Sequence, residues 1–273
     1  MSEPKQSSTT TGGRPAQCLV AILVAAGNGC RLGGDTPKQF QDLNGRPLLT
    51  HSLATLLLSG LIDRSVVVVP EKWVSFTQDL LRDQNLTVDA VVAGGSTRRE
   101  SVHNGMQYIE RQSWQATHVL VHDAARPFVS TALIRAVVAA VHETGAATLA
   151  LPVSDTLMRA VEEKDAPKGR QQAEELVDRS GMWAVQTPQV FDLPLLRQAH
   201  AHASVTVDAP DDGSLVLALG RRLNFVPSAW WNFKLTSPED FDKARLIETT
   251  RNKLRSAPFQ DVPTPKASHG EGK

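Results

Sequence analysis

Apolar runs and stretches with helical spacing alternate along the chain. Five runs have the length and the continuous apolar character of buried parallel strands: residues 19–26, 65–70, 87–93, 118–122 and 145–153. Helical spacing occupies the intervals at residues 47–60, 72–84, 98–111 and 131–143. Strands that alternate with helices through short connections pair in parallel by right-handed crossovers. The pattern therefore predicts an α/β fold with a Rossmann-like, doubly wound and mostly parallel sheet.

The alternation stops after Val153. Short β-like pieces at residues 156–161 and 174–177 flank a charged stretch that contains Pro and Gly. This pattern predicts a protruding β-arm at about residues 155–182 rather than another βαβ unit. A solvated surface loop and an arm that reaches a second subunit both stay open, because an isolated hairpin is only marginally stable in water.

The last part of the chain returns to regular patterning. Two helices are predicted at about residues 193–202 and 211–220, then a strand near residues 223–226 and a final helix. That helix has a strong start, with Ser237 as N-cap and Pro238 in the first turn. Polar stretches at residues 1–16 and 255–273 predict disordered tails around one domain at residues 17–254.

Composition narrows the function mainly by exclusion. The chain carries 29 basic and 29 acidic residues, so no global basic field favours nucleic acid and any anion site must be local. The apolar runs are too short to span a bilayer, and no signal peptide is visible, so we expect no membrane association. Two cysteines, Cys18 and Cys30, lack C-x-x-C spacing. They argue against zinc and disulfides and fit a cytoplasmic location.

A glycine-rich loop, "AAGNGCRLGGDTPKQ" at residues 25–39, follows the first predicted strand. It matches neither the dinucleotide fingerprint nor the Walker loop. Consecutive backbone N–H groups can nevertheless cradle an anion without those signatures, and Arg31 and Lys38 bracket the loop with two cations. On the loop alone, a phosphate site and a surface turn with two solvated bases are both open.

The fourth predicted strand runs into "HDAARP" at residues 122–127. Asp123 at the carboxyl end of a strand is well placed for a substrate hydroxyl or a metal, and Arg126 offers a planar fork for phosphate oxygens. We interpret His122 as a structural histidine, and we disfavour a mere local ion pair between Asp123 and Arg126. Ligands of such sheets bind outside the carboxyl ends of the strands, so these segments should converge with Gly94–Gly95.

Three other stretches indicate little when each is taken alone. They are "VDRSGMWAVQTPQVF" at residues 177–191, "WNFKLTSPED" at 231–240 and "DAPDDGS" at 208–214. A lone lysine such as Lys234, predicted in a short strand, is usually solvated. Asp211 and Asp212 suit the N-terminus of a helix, where the macrodipole favours acids.

Taken in order along the chain, the motifs resemble those of the 2-C-methyl-D-erythritol 4-phosphate cytidylyltransferase family of the non-mevalonate isoprenoid pathway. The resemblance covers about residues 19–251 and rests on "AAGNGCRLGGDTPKQ", "HDAARP", "VDRSGMWAVQTPQ" and "NFKLTSPED". The first motif alone marks the wider nucleotidyltransferase group. Two departures are visible: the family's T-D-E-A-S segment stands here as P-D-D-G-S at residues 210–214, and the arm is longer than expected.

The resemblance implies transfer of CMP from CTP to 2-C-methyl-D-erythritol 4-phosphate with release of pyrophosphate. It implies in-line attack of the substrate phosphate on the α-phosphorus, with no protein nucleophile. It also implies a requirement for Mg²⁺ held mainly by the CTP phosphates, with no protein metal ligand assigned. The expected partners are CTP, a sugar-alcohol phosphate and a second copy of the chain bound through the arm.

Site residues follow from the resemblance by role. Residues expected to bind the nucleotide are Ala25, Ala26, Gly27, Gly29, Gly95, Ser96, Ser101 and Ala124. Residues expected to serve catalysis are Arg31, Lys38, Lys234 and Asp123. Residues expected to bind the acceptor are Arg126, Thr156, Arg179 and Thr187, of which Thr156 and Arg179 would reach the substrate of the partner subunit.

Three rival functions can be weighed on the same residues. A cytidylyltransferase for another polyol phosphate, such as ribitol 5-phosphate, would share the first loop, and "VDRSGMW" at residues 177–183 argues against it. A nucleotide-binding protein without turnover would be expected to lack Arg31 or Lys38, and both are present. A Rossmann dehydrogenase is disfavoured because no acidic residue ends the strand "SVVVVP" to take a ribose hydroxyl.

Overall fold

Valine-rich and leucine-rich runs form the central strands of the structure, a computed structural model that describes residues 17–27, 36–161, 171–202 and 209–254. The strands are β1 Leu19–Val24, β2 Asp42–Leu43, β3 Arg46–Pro47, β4 Arg64–Val69, β5 Ala90–Ala93, β6 His118–Asp123, β7 Ala146–Pro152, β8 Leu157–Ala160, β9 Ala173–Val177, β10 Trp183–Asp192 and β11 Asn224–Pro227. The helices are α1 Leu48–Leu58, α2 Val74–Asp83, α3 Arg98–Glu110, α4 Thr131–Thr144, α5 Leu193–His202, α6 Asp212–Ala218 and α7 Pro238–Leu254.

Seven of the described strands form one sheet in the order β11-β7-β10-β6-β1-β4-β5. β1 pairs in parallel with β4 and β6, and β4 pairs in parallel with β5, so these four strands end at one edge. β10 runs antiparallel to both β6 and β7. The predicted doubly wound, mostly parallel sheet is confirmed, with one reversed strand in its interior.

Helices cover both faces of the sheet, as the apolar strands require. One core cluster packs α1, α2 and α4 against the sheet, through residues such as Leu53, Leu81 and Val137. The other packs α3, α5 and α6 on the opposite face, through residues such as Met106 and Leu196. β1 is buried along nearly its whole length, which is why its sequence is almost uniformly apolar.

A third, smaller core lies beside the sheet. Phe241 and Ala244 of α7 pack with Leu43, Phe128 and Leu235. This core attaches α7 and the residues before it to the segment that follows β6. Ser237 caps α7 as predicted, since the Asp240 amide donates to Ser237 Oγ at 3.3 Å and Asp240 Oδ2 accepts from the Ser237 amide at 3.0 Å.

Three local predictions need correction. β10 was not predicted, because its residues 186–189 are mostly polar although they are buried. Lys234 lies outside any strand, in an irregular segment before α7. The strand predicted at residues 87–93 is shorter, because it begins at Ala90.

The arm predicted at about residues 155–182 contains a two-stranded hairpin that forms a separate sheet. β8 pairs antiparallel with β9, for example Met158 with Leu176. The charged stretch at residues 162–170 and the predicted tails at 1–16 and 255–273 lie outside the described residues. No helix in the described part of the chain combines the length and the apolar character needed to cross a membrane.

Candidate active site

The segments that follow β1, β5 and β6 converge at the carboxyl edge of the sheet, as predicted. They line a cavity of about 160 Å³, which we call the first cavity. Its walls include seven of the residues predicted to bind nucleotide: Ala25, Ala26, Gly27, Gly95, Ser96, Ser101 and Ala124. They also include Lys38, Asp123 and Lys234. Gly29 and Arg31 lie outside the described residues.

A second cavity of about 340 Å³ lies beside the first. Arg126 and Thr187, both predicted to bind the acceptor, line this cavity. Arg98, Asp123 and Lys234 line both cavities. Two adjoining cavities that share a charged wall can bring two ligands together at that wall.

The turn between β5 and α3 is held in place by its own hydrogen bonds. Thr97 and Glu100 form a capping box at the start of α3. Glu100 Oε2 accepts from the amide and the hydroxyl of Ser96, each at 2.6 Å. The Gly95 amide donates to Ser101 Oγ at 3.2 Å. These bonds hold the backbone of the turn in place at the first cavity.

Gly94 occupies a position where a side chain would not fit. A Cβ atom there would lie 2.4 Å from Ala26 Cβ and 2.8 Å from Ser101 Oγ. The glycine pair predicted to end the third strand therefore permits close approach of the β5–α3 turn to the segment after β1.

Asp123 lies in the wall shared by the two cavities and is surrounded by cations. Its Oδ1 lies 3.2 Å from Arg98 Nε, and its Oδ2 lies 2.8 Å from Lys234 Nζ and 3.9 Å from Arg126 Nε. Burial alone raises the pKa of Asp123, but the three cations lower the pKa well below its usual range. Asp123 is therefore an ionised acceptor at neutral pH that orients its neighbours.

Arg98 is the site residue that sequence reasoning missed. It joins Asp123 to a second buried carboxylate, because its Nη1 lies 2.7 Å from Asp212 Oδ2. Asp212 also contacts His200 Nε2 at 2.9 Å, so it is a partner in a buried network and more than a helix N-terminal acid. A usable signal existed: Arg98 is the first residue of α3, where the macrodipole disfavours a cation unless an anion compensates it.

Lys38 is held at the end of the glycine loop by a short 3₁₀ turn, Lys38–Phe40. Its Nζ donates to the Leu235 carbonyl oxygen at 3.0 Å. The adjacent Gln39 side chain donates to the carbonyl oxygens of Ala25 at 2.6 Å and Gly27 at 3.2 Å. Gln39 thus ties the end of the loop to its beginning and directs Lys38 to the first cavity.

His122 is a structural histidine, as interpreted from the sequence. It is fully buried, with Nε2 3.1 Å from the Arg126 carbonyl oxygen and Nδ1 3.0 Å from Thr187 Oγ1. Because a carbonyl only accepts, Nε2 carries the proton and Nδ1 accepts from the Thr187 hydroxyl. Thr187 Oγ1 in turn accepts from the Asp123 amide at 3.0 Å.

Acid should destabilise the protein through His122. Burial is the largest cause that lowers the pKa of His122, to about 4. In the unfolded chain this pKa lies near 6.5, so between these values the unfolded state binds the extra proton. We expect this histidine to cost about 3 kcal/mol of unfolding free energy as the pH falls from 7 to 4. Urea unfolding of the wild type and of His122→Gln across this range measures the effect, and equal pH slopes would contradict it.

Thr156 and Arg179 are placed differently from the other predicted site residues. Both belong to the arm and are exposed, and neither lines the two cavities. The Arg179 guanidinium donates to the Ser154 carbonyl within the arm. Within one chain, the structure does not bring them to the predicted site.

Among the described residues, the donor set at the edge of the sheet does not fit a divalent metal held by the protein. The described residues contain no group of three or more His, Cys, Asp or Glu side chains that could hold a metal ion. Both carboxylate oxygens of Asp123 already face cations. The described residues alone would not complete a ligand set for a metal ion at this site.

The fold and this site are those of an α/β nucleotidyltransferase, with a glycine loop after the first strand and a charged wall of Arg98, Asp123 and Lys234 between two cavities. The model of the family described as 2-C-methyl-D-erythritol 4-phosphate cytidylyltransferase matches residues 19–250. The chain belongs to this family.

Individual relatives agree with the family match. The enzyme of that name from Thermotoga neapolitana is 40% identical over 228 residues, which cover 84% of this chain and 96% of that protein. The enzyme of the same name from Ralstonia nicotianae is 41% identical and covers 86% and 93%, respectively. A crystal structure of the Thermus thermophilus enzyme of this name has 34% identity and a TM-score of 0.62, covering 84% of this chain and 98% of that one.

Proposed function

We propose that this protein transfers CMP from CTP to 2-C-methyl-D-erythritol 4-phosphate, giving 4-diphosphocytidyl-2-C-methyl-D-erythritol and pyrophosphate. The family and the names of the relatives support this reaction. The single structural observation that carries it is the wall of Arg98, Asp123 and Lys234, which two adjoining cavities share. One cavity would take the nucleotide and the other the acceptor, so that their phosphates meet at this wall.

The cations expected around the two cavities suit a reaction that needs positioning and charge neutralisation. A phosphate oxygen of the acceptor attacks the α-phosphorus of CTP, a new P–O bond forms, and the bond to pyrophosphate breaks. The attacking phosphate is already an anion at neutral pH, so no protein base is required. Lys38, Lys234 and, in our proposal, Arg31 neutralise the charge on the phosphoryl oxygens in the transition state.

The remaining assignments divide between the two cavities. Ala25, Ala26, Gly27 and Gly29 would contact the nucleotide through their backbone, and Ala124 would allow its close approach. Gly95, Ser96 and Ser101 would read the cytosine from the turn that the capping box holds. Arg126 and Thr187 line the second cavity and would bind the acceptor.

We also propose that Mg²⁺ accompanies CTP. The described residues do not provide a ligand set for the ion, so the phosphates of CTP would hold it. When bound there, it would neutralise phosphate charge. A cytoplasmic location completes the proposal and rests on the cysteine content of the sequence.

We propose that the protein is a homodimer, and the exposed apolar residues of the arm are the observation that supports this proposal. The hairpin of β8 and β9 exposes Met158 (62%) and Leu176 (67%), although an isolated hairpin is marginally stable without a covering surface. We propose that the arm packs on a second copy and delivers Thr156 and Arg179 to the acceptor cavity of that copy.

Arg179→Ala should change the KM for one substrate and leave the KM for the other nearly unchanged. Because Arg179 would contact only the acceptor phosphate, we expect the KM for methylerythritol phosphate to rise at least about tenfold, as loss of a charge-assisted hydrogen bond implies. The KM for CTP should stay within about twofold. A CTP defect of equal size, or a fully active monomer in light scattering at assay concentration, would contradict the assignment.

Pyrophosphate release tests the reaction itself. The protein is incubated with CTP, Mg²⁺ and either methylerythritol phosphate or ribitol 5-phosphate. We expect release with the first acceptor. The names of the relatives do not favour the ribitol alternative, and release with ribitol phosphate alone would overturn our proposal.

A further inference from the structure

The irregular segment 232–235, before α7, includes one cation that lines the cavities, Lys234, and contacts two others, Arg126 and Lys38. The Asn232 carbonyl accepts from Arg126 Nη1 at 2.9 Å. Lys234 Nζ lies 2.8 Å from Asp123 Oδ2, and the Leu235 carbonyl accepts from Lys38 Nζ at 3.0 Å. The path of this short segment therefore sets the relative positions of three positive side chains.

Because segment 232–235 belongs to no helix or strand, its position depends on individual contacts. At one end, the Leu235 amide donates to the Ala125 carbonyl at 2.8 Å. At the other end the Asn232 amide donates to the Ala229 carbonyl at 3.0 Å, and the contact with β10 is made by the Asn232 side chain, which is fully buried. Its Nδ2 donates to Gln186 Oε1 at 2.8 Å and to the Thr187 carbonyl oxygen at 2.9 Å, both on β10.

The chemistry of these two contacts requires an amide. A backbone carbonyl only accepts, and Gln186 Oε1 also accepts from the Ser228 hydroxyl at 2.7 Å. Aspartate has the same shape but would place an oxygen against these acceptors, and leucine could not donate. The Oδ1 of Asn232 is buried and has no hydrogen-bond partner among the described residues, so the NH₂ group is the part of the side chain that makes the contacts.

We propose that Asn232 is a positioning residue for the acceptor side of the site. It does not contact a substrate. It fixes segment 232–235 to β10, and through its own carbonyl and through Thr187 it places Arg126, Lys234 and Asp123 relative to one another. The inference rests on the proposed function, because it assigns these groups to the acceptor phosphate.

The positions of the residues that line the first cavity, which would bind the nucleotide, should depend much less on Asn232. The β5–α3 turn is held by the Thr97–Glu100 capping box and by Ser101. Lys38 has a second attachment through Gln39, which bonds to the carbonyls of Ala25 and Gly27. A change at Asn232 should therefore affect the acceptor more than CTP.

The test compares Asn232→Asp with a matched control, Asn224→Asp. Asn224 Nδ2 also donates to a backbone carbonyl and a side-chain oxygen, those of Ala140 and Glu143, each at 3.1 Å. It lines neither cavity. The same isosteric change thus removes the same kind of contact at a residue whose own side chain lies outside both cavities, although its neighbours Leu223 and Phe225 line the second. The KM for each substrate and kcat are measured by pyrophosphate release, and stability by urea unfolding.

For Asn232→Asp we expect the KM for methylerythritol phosphate to rise at least about tenfold and kcat to fall, with the KM for CTP changed less than about threefold, since loss of a buried hydrogen bond carries energies of this order. Asn224→Asp should lower stability and leave both KM values unchanged. Asn232→Ala, which removes the donor without adding an opposing oxygen, should give the same split in a milder form. Equal changes in the two KM values, no change in either, or the same split in Asn224→Asp would overturn the proposal.

Hydrogen exchange gives a readout that does not require turnover. Asn232→Asp should accelerate amide exchange at residues 123–126 and 232–235 relative to residues 95–105, and Asn224→Asp should not. If the wild type released no pyrophosphate with methylerythritol phosphate, the proposed reaction would fail, and exchange would still decide the positioning role. If neither Asn232 variant folded, Asn232 would be a structural residue and the proposal would be wrong.

Discussion

Lys38→Ala is expected to lower kcat by on the order of 10²–10³, the typical effect of removing one donor to a developing oxyanion. Lys38 lines the cavity at the end of the glycine loop, and its Nζ is held by the Leu235 carbonyl. The ammonium group therefore stands in a fixed position where the charge on the phosphoryl oxygens would increase. Steady-state pyrophosphate release measures the effect, and circular dichroism checks that the variant folds.

Lys243→Ala is the matched control for this prediction. The Lys243 side chain is 66% exposed and lies 3.8 Å from Asp240 on α7, so its removal should leave kcat within about twofold of the wild type. Lys38→Arg should recover part of the activity, because it retains the charge without the compact ammonium group. Near-normal turnover in folded Lys38→Ala would remove Lys38 from the mechanism.

Arg98→Leu is expected to lower the unfolding free energy by about 3–5 kcal/mol, as breaking a buried ion pair typically does. The substitution removes a cation from two buried carboxylates at once, those of Asp123 and Asp212. Asp123 would still lie next to Lys234 and Arg126. Of the two contacts of Asp212 described here, only the contact with His200 would remain. Activity should fall as well, since Asp123 would lose one of the groups that fix its carboxylate.

A surface pair and a double variant test the cause of that loss. Arg82→Leu breaks an exposed pair with Asp79, in which the two side chains are 76% and 67% exposed, and should cost less than about 1 kcal/mol. Arg98→Leu combined with Asp212→Leu should be more stable than Arg98→Leu alone, because the uncompensated carboxylate is gone. If Arg98→Leu unfolded in urea within about 1 kcal/mol of the wild type, the buried network would not stabilise the fold.

The parallel part of the sheet was predictable because strands that are buried on both faces consist of nearly continuous apolar residues. β1 is apolar throughout and β4 is apolar from Val66 onward, a composition typical of strands that are buried on both faces. β10 has no such apolar run, because polar residues interrupt it. Its polar residues are buried because each has a hydrogen-bond partner. Gln186 bonds to Asn232, and Gln189 bonds to Asp211. Thr187 bonds to His122 and Asp123. Hydropathy cannot anticipate polar residues whose partners lie far along the chain.

Some residues of the site could likewise be predicted from the sequence, and others could not. Residues 25–27, Gly95 and Asp123 could be placed together in advance, because each follows or ends a parallel strand and such ends meet at one edge. Lys234 looked like a solvated lysine when its segment was taken alone, and only the family resemblance assigned it to the site. Its 2.8 Å contact with Asp123 supplies the geometric reason. Arg98 was missed altogether, since neither of its carboxylate partners is near it in sequence.

The sequence by itself determined the class of fold, the edge where the site lies, the glycine loop with its two cations and the resemblance that names the reaction. Each of these depends on residues close together in the chain or on a strand's own burial. The tertiary structure alone decided which charges face one another: Arg98 with Asp123 and Asp212, Lys234 with Asp123, and segment 232–235 with β10 through Asn232. Such pairings depend on distances between remote segments, and a buried charge or amide is stable only where folding brings its partner within hydrogen-bond range.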